Sequence, residues 1–146
     1  NEAYMMGHVS DWAPPVDSSG SFLFRFDGSN WRRIDSVMNT PGAPPASLGA
    51  GLYAWNGLLY SLGPNVYRRS GNAWAKLANA QVGHMWQSGP NNIVAVAPAV
   101  WHYNGIDWQE FTHLYALSFW FDCYTDGEEV FIVGNDNSKS IILHGK

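Results

Sequence analysis

Cysteine occurs once in the chain, as Cys123. A single thiol excludes an internal disulfide and every paired-cysteine metal or redox motif. Charge is scarce too: Asp, Glu, Lys and Arg make up 14% of the 146 residues, and the formal net charge is −4. The eight Lys and Arg are scattered, with Arg32–Arg33 and Arg68–Arg69 as the adjacent pairs. That leaves no basic stripe, so no nucleic-acid partner is expected. Long apolar runs are also missing. The longest, 93–101, falls short of the roughly 18 residues that span a membrane and is interrupted by Pro98. No membrane span is expected. Long helical periodicity is absent, and prolines 14, 15, 41, 44 and 45 argue against helices in the segments that hold them.

Aromatic residues are abundant instead, at 15% with eight Trp, which argues against disorder and for one folded domain over 1–146 with a sizeable core. The aromatics are arranged in repeats. "FRFDGSNWRRI" (Phe24 to Ile34), "YRRSGNAWAKL" (Tyr67 to Leu77) and "WHYNGIDWQEF" (Trp101 to Phe111) each place a Gly three residues before a Trp. The glycines are Gly28, Gly71 and Gly105, and the tryptophans Trp31, Trp74 and Trp108. Asp27, Ser70 or Asn104 precedes each Gly, which is tight-turn chemistry between two strands, so each copy reads as a β-hairpin.

Upstream of each hairpin lies a more apolar strand ending at a small residue. The instances are "NEAYMMG", "GLLYSLG" and "NNIVAVA", with "EEVFIVG" as a fourth. Apolar residues on both faces suit a strand held between layers. One further strand candidate, around Leu52, Trp86 and Cys123, precedes each of the last three and places Cys123 in a column with Leu52 and Trp86, as a small core residue. The unit is thus four strands long. Its Trp recurs after 43 and then 34 residues, near the roughly 40–50-residue periods of propeller blades. Units of about 1–38, 48–79, 82–113 and 115–146 follow, with three, four, four and three strands.

The stretch "MWQSGPNNIVAVAPAVWHYNGIDW" resembles bacterial β-propeller repeats built on Trp and Gly, and "GLLYSLGPNVYRRSGNAWAKL" resembles a kelch repeat. Kelch repeats carry a Gly-Gly pair where this chain has a lone Gly63 or Gly134. The resemblance covers nearly the whole chain and implies an all-β fold: a β-propeller of about three to four blades of four-stranded antiparallel sheets. With Gly145 as the next turn glycine, the next Trp falls beyond Lys146, and the expectation is a piece of a larger ring, with closure as four incomplete blades as the alternative. In a propeller the repeat Trp fills the space between blades, so Trp31, Trp74 and Trp108 are expected in inter-blade core.

Functional residues are less legible. The five His show no HxH or HExxH spacing, and neither "DCYTDGEE" nor "GNDNSKS" has a calcium-loop order of ligands, so no metal and no cofactor is expected. Asp126-Gly127 and Asn137-Ser138 read as turns. No GxSxG elbow or paired acids mark a catalytic centre. Arg25, Arg68 and His102 occupy one column of the repeat, with His144 as a fourth member, and could line one surface toward an acidic or sugar ligand. Trp12, in an insert, and Trp55 lie outside the repeat and could stack on a sugar or anchor a protein. The reading is a non-catalytic recognition module or interaction scaffold binding a protein or glycan through rim loops, with self-association through open blade edges as a further partner mode. The alternative is part of a propeller hydrolase or lyase acting on carbohydrate.

Overall fold

The computed structural model describes residues 2–9, 20–38, 48–49, 51–114, 119–136 and 138–146. These residues form antiparallel β-sheet, with a single 3₁₀ turn at Thr112–Leu114. A first sheet joins β1 (Ala3–Val9), β2 (Gly20–Phe26) and β3 (Trp31–Met38) in that order. The second joins β4 (Gly51–Trp55), β5 (Leu58–Leu62), β6 (Val66–Ser70) and β7 (Ala73–Ala78). In the third, β8 (His84–Gly89), β9 (Asn92–Val96), β10 (Val100–Tyr103) and β11 (Trp108–Glu110) follow one another. The fourth holds β12 (Phe119–Thr125), β13 (Val130–Asp136) and β14 (Lys139–Gly145). Each sheet packs on the next in chain order, and the described residues do not close into a ring.

The hairpins form where turn chemistry puts them. Asp27 Oδ1 accepts the backbone N–H groups of Ser29 and Asn30, and Asn104 Oδ1 accepts those of Ile106 and Asp107. Gly28 and Gly105 follow at φ of 101° and 97°, a region that costs a side-chain-bearing residue about 1 kcal/mol or more. Asp126 and Gly127 repeat the device between β12 and β13, as the turn reading expects. Asn137 lies outside the described residues.

Cross-strand register sets which residues of the four sheets share a column. Arg25 pairs with Tyr4, Arg68 with Tyr60, His102 with Val94 and His144 with Phe131. One residue along, Phe26 faces Trp31, Arg69 faces Trp74 and Tyr103 faces Trp108. Two expectations change with this register. Gly145 pairs with Val130 inside β14, in the column of Tyr103, so it is a strand residue and not a turn glycine. Cys123 pairs with Ile132 and Met85 with Ala95, so the column of Leu52 and Cys123 contains Met85 rather than Trp86. In apolar strands nothing local fixes register, and a slip of one residue exchanges the faces.

Side chains alternate between neighbours on either side. Ile93 and Ala95 join Tyr60, Leu62, Val66 and Met85 in a buried cluster between the second and third sheets. Val94 and Val96 join Val100, Trp120, Cys123 and Ile132 between the third and fourth. The strand β9 is therefore buried on both faces, Ile93, Val94 and Val96 each contributing about 1.5–3 kcal/mol of burial. Between the first and second sheets, the Trp74 indole N–H donates to Asp35 Oδ2 at 2.8 Å. Trp74 and Trp108 thus pack toward the preceding sheet. Trp31 departs from the inter-sheet expectation: it meets Phe26 in a tilted contact, at 5.3 Å between ring centroids, and is 47% exposed. Its face of the first sheet has no neighbour among the described residues.

Candidate functional site

The third and fourth sheets diverge toward the ends of β10 and β14 and leave a cleft of about 450 Å³. Val100, Phe111, Leu114, Val130, Ile132 and Leu143 give it apolar walls, because these positions alternate toward the gap in strands whose apolar residues continue the core. The 3₁₀ turn that leads from β11 toward β12 contributes Leu114 and His113, whose ring lies edge-on to Phe111 at 6.1 Å. The volume lies within the range that takes a small ligand or a large side chain.

The polar lining is basic or neutral. It comprises His102 and His113, while His144 and Lys146 only border the cleft at its β14 end, and none of the lining residues is Asp or Glu. The His102 Nε2 lies 3.0 Å from Asn92 Oδ1. With Nε2–H donating to that amide oxygen, the Nδ1 lone pair is left as an acceptor. Burial lowers the His102 pKa below the ordinary imidazole value, so the ring is neutral at neutral pH. On the outer face of the fourth sheet, away from the cleft, His144 stacks on Phe131 with centroids 4.5 Å apart, and its Nε2 lies 3.7 Å from Glu129, which also holds Lys146 at 3.2 Å. Trp101 borders the cleft, but its side chain turns to the other face of β10 and packs on the cluster between the second and third sheets.

The residues singled out by sequence are separated. Strand parity sends each member of the Arg25 column toward the following sheet. Arg25 lines a different, more polar cleft between the first and second sheets, beside Tyr4 and Arg69, and its Nη2 bonds Glu2 at 2.6 Å. Both partners of that ion pair are about half exposed, so solvent screens it to at most about 1 kcal/mol. Arg68 is exposed on β6, and His102 alone of the three enters the apolar cleft. Trp55 is half-buried at the end of β4, beside the Asn56-Gly57 turn. Trp12 lies outside the described residues.

Sequence reasoning missed Phe111, His113 and Leu114, which follow the third hairpin and read as its tail. The repeat column gave no signal for them: His144 shares the column of His102, but parity turns it to the outer face of the fourth sheet, away from the cleft. Among the described residues no group of three His, Cys, Asp or Glu is placed to hold a metal ion. No protein-family model matches this chain, and no curated protein matches it.

Proposed function

We propose that the four sheets are blades of a β-propeller and that the chain is a non-catalytic recognition module. Its cleft between the third and fourth sheets takes an aromatic or aliphatic side chain of a partner protein. Support for the propeller comes from consecutive antiparallel sheets stacked in chain order, with a repeat Trp wedged toward the preceding sheet in the second and third. The observation that carries the binding role is the lining itself: apolar walls, neutral His102 and no acid. Glycoside hydrolysis needs two facing carboxylates, which this cleft lacks among its lining residues. A sugar would bring hydroxyls that the apolar walls cannot satisfy, whereas an indole or isobutyl group buries cleanly and can leave a backbone acceptor for a polar edge.

The test uses 5-fluoroindole at millimolar concentration as a probe, followed by the width of its fluorine resonance. The wild-type protein is expected to broaden the line, and Leu114→Glu, at the mouth of the cleft, to remove at least half of that broadening. Equal broadening by both proteins, or none by the wild type, overturns the proposal.

A further inference from the structure

Large apolar side chains open to solvent are concentrated on the two terminal sheets. Met5, Trp31 and Met38 stand out on the first, and Phe119, Val133 and Ile142 on the fourth, with Phe119 71% and Ile142 69% exposed. The second sheet contributes none. A monomeric surface seldom carries such contiguous patches without a use.

Register assigns each group to one face. The pairs Phe26↔Trp31, Met5↔Phe24 and Gly20↔Met38 put Met5, Trp31 and Met38 on the side of the first sheet opposite to Leu23 and Asp35. Asp35 points at the second sheet, where it meets Trp74, so the Trp31 side faces away. In the fourth sheet, Val133↔Ile142 and Phe119↔Asn135 lie opposite to the face of Cys123, Ile132 and Leu143, which packs on the third.

Inside the chain, junctions form between two unlike faces. The face that carries the repeat Trp, with Trp74 or Trp108, is laid on the other face of the preceding sheet. The open face of the first sheet is of the Trp-bearing kind, and the open face of the fourth is of the receiving kind. Charge agrees, since Arg33 shares the Trp31 face and Asp122 shares the Ile142 face. We infer that copies of this chain associate head to tail, the open face of the fourth sheet of one copy receiving the open face of the first sheet of the next. The contact is heterologous, because two different surfaces meet. It continues the junction already built between the sheets, and it involves faces rather than strand edges. It does not depend on the ligand cleft.

Light scattering behind size exclusion tests this on the intact chain. The wild type is expected to show at least twice the chain mass of 16.2 kDa, rising with concentration. Trp31→Glu and Ile142→Glu, each blocking one face, are each expected to run as single chains. Mixed in equal amounts they are expected to form a two-chain species, because the mixture holds one intact face of each kind. A monomeric wild type, association of either variant alone, or failure of the mixture to combine overturns the inference. Should either variant fail to melt cooperatively, Met5→Glu and Phe119→Glu on the same two faces decide by the same criteria.

Discussion

Cys123 has its thiol in the cluster between the third and fourth sheets, with Sγ–H donating to the Val94 carbonyl at 3.3 Å. Burial, helped by the Asp122 charge, pushes the thiol up to about 12. The thiolate is the reactive form, so at pH 8 the folded protein presents almost none. Alkylation by iodoacetamide is expected to be about a hundredfold or more slower in the native protein than in urea. Comparable rates, read by mass spectrometry, would show that the site opens or is wrongly placed. A column such as Arg25, Arg68 and His102 was legible from spacing because a repeat preserves position. Where its members point was not legible, since strand parity sends each into a different gap between sheets, and that depends on pairing partners far away in the chain.

At the level of elements, the hairpin turns were the most readable part, because Asp or Asn followed by Gly satisfies its own backbone locally. Gly28 and Gly105 share a positive φ but not their surroundings. A Cβ at Gly28 meets nothing, whereas one at Gly105 would stand 2.5 Å from the Asn91 side chain. Gly28→Ala is therefore expected to cost about 1 kcal/mol from conformation alone. Gly105→Ala is expected to cost measurably more, in urea midpoints of equal slope. Equal losses would mean that Asn91 gives way freely. The registers of β8 and β12 were harder to read. Pairing in β12 slips by one between Trp120 and Asp122, a bulge without a local composition signal, and β8 carries another between Gln87 and Gly89.

Across the whole molecule, the buried clusters tie the second sheet to the third and the third to the fourth, and neither draws a residue from the first. The first sheet joins the second through the Trp74–Asp35 hydrogen bond, the Arg69–Asp35 ion pair and a Met6–Ser61 contact. Fewer shared apolar contacts mean a lower opening free energy. Amide hydrogens of β2 are thus expected to exchange through a smaller opening than those of β9, resolved by mass spectrometry of peptides across a denaturant series. Identical protection in the two strands would show a single cooperative unit. The all-β architecture and the three-, four-, four- and three-stranded sheets were legible because period-two patterning and turn chemistry are local. The cleft was not, because it is a gap between two sheets whose separation no single stretch encodes.

The unlike faces of each sheet bear on how such a chain can change over generations. The second and third sheets are each laid on the preceding sheet by the same face, with Trp74 and Trp108 turned the same way. An in-frame duplication or deletion of one whole unit would therefore leave matched surfaces on both sides of the scar. Length can vary by whole sheets while the joints between them keep their chemistry.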